Sequence, residues 1–311
     1  MKWNKKFIYP KSQRSLIDGK RHYDIEQTKL PSVTTIISAT QSEEKRQALA
    51  DWKARLGDIA ADRVRDVAAL RGTAMHTYLD AYIQGTGHKD LTSVGREAEP
   101  MAKKIISNGL IDLNEIWGSE VTLYYPELYA GATDVVGIYN GRESIIDFKQ
   151  TNKPKRREWI DDYFVQLGAY AMAHNYVYQT KIQSGIVLMC SKDGFFQKFE
   201  VFDQEFVDYQ HEFLKRTDQY YKMYPIQKTA KIQKMMKKYS KSWANFICTL
   251  VYPFFIKKEK IFFIFFKSGY NGYKLNKLAI PTLIRSNLYL LPGYNWIQKI
   301  QLFKKLAIPT T

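Results

Sequence analysis

Residues 131–150, GATDVVGIYNGRESIIDFKQ, constrain this chain more than any other stretch. Two β-rich runs flank Asn140-Gly141, a pair suited to the positive-φ positions of a two-residue type I′ hairpin turn. In the register such a turn imposes, Tyr139 faces Arg142, Val136 faces Ile145, Asp134 faces Asp147 and Ala132 faces Lys149. Asp is a poor strand former. Like charges directly across a ladder also repel, at Cβ separations of about 4.5–5.5 Å. Side-chain alternation puts Asp147 and Lys149 on one face, beside Asp134. A divalent cation between the carboxylates is the simplest reconciliation. A structural Ca²⁺ site, or one carboxylate kept neutral by a shifted pKa, would also serve.

Hard oxygen ligands with spare water positions favour Mg²⁺ or Mn²⁺. Such an ion can hold a scissile phosphate and lower the pKa of an attacking water. Lys149 can orient that water or offset charge on the phosphate, which makes Asp134, Asp147 and Lys149 the candidate catalytic residues. On the helix expected after the hairpin, Gln166 and Tyr170 are spaced i, i+4 and share a face with Trp159 and Tyr163. Read alone, that face is equally an aromatic seam against a sheet. His76, in TAMHTYLDAYI, has Gly72, Leu79 and Ile83 on its inward side. It is a metal ligand or a satisfied core histidine.

Around this stretch the pattern is that of a single α/β (α+β-leaning) domain: helices over 43–84 ending at Gly85, a short helix near 97–108, and strands at 119–126, 129–139 and 142–150. A helix at about 158–176, strands near 184–191 and 195–202 and a helix at 203–222 complete it. LPSVTTI offers Ser32 as a helix cap before apolar residues. The net charge of +16 is unevenly placed. From Pro225 onward there are 16 Lys and Arg against one acid, Glu259, while the rest carries 31 basic and 30 acidic residues. Residues 1–224 thus form a near-neutral body, and 225–311 a basic, aromatic-rich extension that repeats KLAIPT and reads as weakly ordered, with a nucleic-acid or membrane-surface arm as the alternatives. Its apolar run IFFIFF is far too short to span a membrane.

The two cysteines, Cys190 and Cys248, lie far apart, which excludes a disulfide framework, a zinc knuckle and a four-cysteine cluster. A basic N-terminus without an apolar segment gives no secretion signal, and a cytoplasmic protein is expected. No GxxxxGK[ST] occurs, so no ATP-driven motor is built in. On 43–71, Lys45, Arg46, Lys53, Arg55, Arg63, Arg65 and Arg71 could track phosphates, with Trp52 stacking on a base. Six interleaved acids make a salt-bridged, solvated face an equal reading.

GTAMH, GATD, IDFK and QLGAY, in that order, resemble the H…D…DxK…QxxxY series of the PD-(D/E)xK nuclease superfamily. LPSVTTI and KQTNKPK add likeness to the RecB-like exonuclease branch that holds mitochondrial genome maintenance and phage exonucleases. The match covers about residues 20–222. The resemblance implies a restriction-endonuclease-like core over about 115–222, a central mixed sheet flanked by helices, and an N-terminal helical arch over about 33–84. It implies His76, Asp134, Asp147 and the Phe148 carbonyl as metal ligands, with Lys149 catalytic. Gln166, Tyr170, Thr151 and Lys153 would position the site and DNA, with Thr151 standing in where Gln150 follows the lysine in place of the branch's Thr. Glu120 is an accessory acid in this reading, and Trp52, Lys53, Arg63 and Arg71 are DNA contacts. The implied activity is Mg²⁺-dependent exonucleolytic hydrolysis of single-stranded DNA in phage or bacterial replication or recombination. Digestion of duplex ends by a ring oligomer and non-catalytic DNA binding are the alternatives.

Overall fold

A computed structural model describes residues 1–25 and 28–225. The expectations placed on the basic extension lie outside the described residues.

The chain opens with β1 (Lys2–Trp3), β2 (Gln13–Ile17), β3 (Lys20–Ile25) and β4 (Thr28–Pro31). β2, β3 and β4 form a small antiparallel sheet, turned at Asp18-Gly19, both at positive φ (51° and 71°). Sequence reasoning placed no strands here, because the segments mix charge and polarity without clean alternation. Helix α1 (Val33–Ala39) starts at Ser32, whose hydroxyl accepts from the Thr35 N–H. Its Val33, Ile36 and Ile37 are buried. α1 is therefore a core helix and no part of an outlying arch.

The long helical stretch divides at Gly57 (φ 82°) into α2 (Glu43–Leu56) and α3 (Asp58–Gln84). A backbone conformation that L side chains rarely adopt explains why a glycine stands at the break. No residue of α2 is buried, whereas the second half of α3 buries Met75, Tyr78, Leu79 and Ile83. α4 (Ser93–Asn108) follows, capped by Thr92.

β5 (Leu113–Tyr125), β6 (Tyr129–Tyr139) and β7 (Arg142–Thr151) form the expected meander. α5 (Asp161–Tyr178) crosses over to β8 (Ser184–Ser191), which lies parallel to β7. β9 (Phe196–Phe202) and α6 (Asp203–Met223) complete the described chain. The six-stranded sheet is mixed, in the order β1-β5-β6-β7-β8-β9, and helices cover both faces. Under α1, α5 and α6 lie Val136, Ile145, Val187 and Met189, packed with Phe164, Leu167, Phe206 and Phe213. Under α3 and α4 lie Val135, Ile146, Phe148, Ile186 and Leu188, packed with Met75, Leu79, Met101 and Ile105. The alternation Ile145/Ile146 across the two cores fixes the register of β7, since a one-residue slip would reverse every side chain. Among the described residues no helix is long and apolar enough to cross a membrane.

Candidate active site

Asn140 and Gly141 adopt positive φ (47° and 77°), as a type I′ turn requires. The β6–β7 ladder follows from that turn through Tyr139↔Arg142, Ile138↔Glu143, Gly137↔Ser144, Val136↔Ile145 and Val135↔Ile146. There the pairing ends, and Asp134 and Asp147 form no further paired step. In this register Thr133 and Phe148 would exchange the next backbone hydrogen bonds. Instead the Phe148 N–H donates to Asp134 Oδ2 at 2.6 Å. The carboxylate replaces a backbone carbonyl and the strands part, which corrects the expectation of two aspartates directly face to face.

The parting leaves room for a cluster drawn from five elements. His76 Nδ1, on α3, lies 3.2 Å from Asp134 Oδ1 and 3.7 Å from Glu120 Oε1. One donor atom from each of His76, Glu120 and Asp134 falls within a span of 4.8 Å, the arrangement of a nitrogen-and-oxygen cation site. Asp147 stands beside this trio without joining it at that span. Its Oδ2 touches the Lys149 ammonium, and its Oδ1 accepts from Gln166 Nε2 at 3.3 Å. Asp147 Oδ2 is buried and receives no hydrogen bond of regular geometry, so it keeps acceptor capacity aimed into the site.

Glu120 lies between the pairs Ser119↔Val135 and Val121↔Thr133 and so opposite Asp134. Its φ of 51° is unusual for a non-glycine residue inside a strand. A residue held in that region marks local strain of the kind that collects at functional sites. Sequence reasoning gave Glu120 only an accessory place because the kink is invisible in a run such as SEVTLYY.

α5 supplies the opposite wall. Gln166 Nε2 also donates to the Tyr170 hydroxyl at 3.2 Å. Gly131 makes room for that tyrosine, since a Cβ there would sit 2.7 Å from the Tyr170 ring. Tyr163 places its ring centroid 4.9 Å from Lys149 Nζ, a cation–π contact that helps hold the buried ammonium.

The charges are interdependent. Burial opposes the ionised form of Asp134, but His76, then Lys149 and the Phe148 N–H, outweigh it and hold this carboxyl below its ordinary range. Burial pushes Asp147 up to about 6, and Asp134's charge adds to that push against Lys149. Burial works against a charged His76, yet Asp134 and Glu120 prevail and raise it to about 10. Lys149 is likewise held protonated by Asp147 and Asp134 despite its burial. The imidazolium and the ammonium thus balance the acids, and a divalent cation would take over that balance at the trio.

Other expected residues are placed differently. Thr151 Oγ1 donates to the Lys153 carbonyl at 2.8 Å, so its hydroxyl is committed to the turn after β7 and does not stand in beside Lys149. The Lys153 side chain is exposed. The Phe148 ring lies in the α3/α4 core. Arg71 is no DNA contact: it is 2% exposed and donates to Gln150 Oε1 (2.9 Å), Glu97 Oε2 (3.2 Å) and Asn152 Oδ1. Gln150 in turn donates to the Ala68 carbonyl at 2.8 Å, and so the residue after the lysine fastens β7 to α3. Lys53 pairs with Asp58 and Asp62, Arg65 with Asp62 and Asp66, and Lys45 with Asp162. The salt-bridged reading of this helix pair therefore prevails at those positions. Arg63 is exposed and Trp52 half-buried.

No family model matches the chain. It is similar to mitochondrial genome maintenance exonuclease 1 of Mus musculus, 29% identical over 196 residues, which is 57% of this chain and 56% of the relative. The Xenopus tropicalis protein of that name is 27% identical over 53% of this chain and 49% of its own length. The chain thus spans about half the length of these curated relatives. Among solved structures, a protein of Eubacterium rectale assigned as an exonuclease aligns over 48% of this chain and 64% of its own, with 13% identity and a TM-score of 0.37. The resemblance to exonucleases read from the motifs is matched by these curated relatives over a little more than half of this chain.

Proposed function

We propose that this chain is a metal-dependent exonuclease that hydrolyses phosphodiester bonds of DNA, with single strands as the preferred substrate. The observation that carries the reading is the convergence of buried Asp134 and Asp147 with half-buried His76 and Lys149 and with exposed Glu120 where β6 and β7 part. Purely structural roles do not call for four such ligating groups and an ammonium in one pocket, because burying charge is costly.

The donor set fits Mg²⁺ or Mn²⁺. His76, Glu120 and Asp134 would hold the ion, with Asp147 and the Phe148 carbonyl completing its protein ligands. When bound, the ion supplies Lewis acidity toward a phosphoryl oxygen and a water of lowered pKa. Lys149 places a fixed positive charge where a phosphate gains negative charge during hydrolysis. Tyr163 and Asp147 keep that ammonium oriented, and Gln166 links Asp147 to Tyr170. The relatives' name supports DNA maintenance as the setting, and the ordered motif series supports attack from a strand end.

The test uses the full chain with DNA labelled at either end, single- or double-stranded, in Mg²⁺, Mn²⁺ or EDTA. Progressive shortening of single strands in either metal, stopped by EDTA, is expected. Absence of cleavage in both metals would refute the reading.

A further inference from the structure

Between β7 and α5 the loop 152–160 carries Lys153, Lys155, Arg156, Arg157 and Trp159. Its backbone is pinned. The Lys155 N–H donates to Gln197 Oε1 and the Lys155 carbonyl accepts from Gln197 Nε2, both at 2.8 Å. Arg157 donates to the Glu200 carbonyl at 2.9 Å and to Glu205. A turn of backbone hydrogen bonds, Trp159 N–H to Arg156 and Ile160 N–H to Arg157, closes the segment, and Ile160 is buried beneath it.

On this fixed backbone the exposed side chains include two cations, Lys153 and Arg156, an indole, Trp159, and one acid, Glu158. Lys153 and Arg156 are exposed, and among the described residues no carboxylate pairs with either. Trp159 is 60% exposed, with the Arg156 guanidinium 5.4 Å from its ring centroid. The aromatic seam expected from its spacing with Tyr163 is thus not where this indole packs. A lone exposed apolar residue needs no explanation. A tryptophan held out among unpaired cations, on clamped backbone joining the strand of Lys149 to the helix of Tyr163 and Gln166, does call for one. Charged groups that follow a phosphate chain, together with an open π-face, are what single-stranded nucleic acid selects.

We propose that the loop 153–159 is a strand-docking subsite in which Trp159 stacks on one base of a single-stranded polynucleotide while Lys153 and Arg156 hold the flanking phosphates. The inference rests on the nuclease reading for its substrate class, but it concerns binding and is separable from cleavage. Duplex DNA, whose bases are stacked on one another, offers no free face to the indole.

The experiment measures binding of the full chain in EDTA, by fluorescence anisotropy. The probes are an oligothymidylate of about twelve nucleotides, a base-free abasic strand of equal length and charge, and a duplex. Charge alone, including that of the extension, acts equally on the first two. The wild type should prefer the base-bearing strand by about 5- to 160-fold, the range that one stacking contact supplies. Trp159→Ala should bring the two strands within about twofold, and Trp159→Phe should restore most of the preference. Lys153→Ala and Arg156→Ala should each lower the slope of log K against log salt by about 0.7 and leave the base preference intact. These side chains are at the surface, so folding is not at stake. A wild type without base preference, or a Trp159→Ala protein that keeps it, overturns the proposal. Cleavage of the same oligonucleotide after adding Mg²⁺ reports separately on the nuclease reading.

Discussion

Two histidines on opposite sides of the molecule's chemistry show how environment assigns a role. His76 faces Asp134 and Glu120, which raise its proton affinity to about 10 after burial has worked against it. His174 lies in a cage of Phe7, Tyr9, Trp117 and Tyr178, where burial, then the Lys6 charge, depresses it to about 3. Its partners fix the tautomer. Thr180 spends its proton on Asn175 Oδ1, so His174 Nδ1–H donates to Thr180 at 2.7 Å and Nε2 accepts from the Tyr9 hydroxyl at 3.1 Å. Both nitrogens are satisfied in the neutral ring, and a second proton would require the Tyr9 hydroxyl to turn from donor to acceptor. His174 is structural cement, whereas His76 holds an ionic network that a cation can share.

The contrast is broken most forcefully by truncating each ring. His76→Ala should reduce metal-dependent DNA cleavage per folded molecule by about 100-fold or more, as loss of a ligand to a catalytic ion does. His174→Ala should act on stability instead. It opens a cavity and removes the acceptor of the Tyr9 hydroxyl, a loss of about 2–4 kcal/mol by urea denaturation, while activity per folded molecule stays at the parent level. Equal effects of the two substitutions on cleavage would erase the distinction.

Acid provides a finer probe. The folded pKa of His174 lies below its unfolded value of about 6.5, so its stabilising contribution is whole above about pH 6.5 and is lost as pH falls toward 3. Between about pH 7 and pH 5 that loss amounts to about 2 kcal/mol. His174→Gln should flatten this part of the stability profile. His76, raised in the folded chain, acts with opposite sign in EDTA. Its contribution is present below about pH 6.5 and disappears as pH climbs through 10. A His174→Gln protein that loses stability in acid as steeply as the parent would contradict the assignment.

The smallest effect belongs to the outlying helices. Lys53 bonds to Asp58 and Asp62 in solvent-exposed pairs, so Lys53→Ala should change stability by less than about 1 kcal/mol and shift cleavage little. A large loss of activity there would restore Lys53 as a DNA contact.

The hairpin was legible in advance because Asn-Gly and strict alternation act locally. The five observed pairs run outward from the turn as read, and fail where a side chain outcompetes the backbone for the Phe148 N–H. That substitution depends on three-dimensional proximity, which no spacing rule contains. The N-terminal strands were missed for a related reason: β1 is two residues long and exists only because β5 lies alongside it. Glu120 was underweighted because backbone strain leaves no mark on composition. Arg71 looked like one more basic residue on a charged helix, and only its burial against Gln150, Glu97 and Asn152 separates it from Arg63. What the motifs did carry is the set His76, Asp134, Asp147, Lys149, Gln166 and Tyr170. Contacts join His76 to Asp134, Asp134 to β7 through the Phe148 N–H, and Asp147 to Lys149 and, by way of Gln166, to Tyr170.

The central claim is that this chain of contacts is a phosphodiester-cleaving centre, and Asp147 is its most exacting member. Asp147→Asn preserves shape and burial while removing the charge that Lys149 and a cation would share. The measurement is the rate at which the full-length wild type and Asp147→Asn shorten end-labelled single-stranded DNA in Mg²⁺, with circular dichroism and thermal melting confirming that both are folded. The account predicts a folded variant with cleavage reduced by at least about a thousandfold, comparable to the wild type in EDTA. A folded Asp147→Asn protein that digests DNA at the parent rate would contradict it.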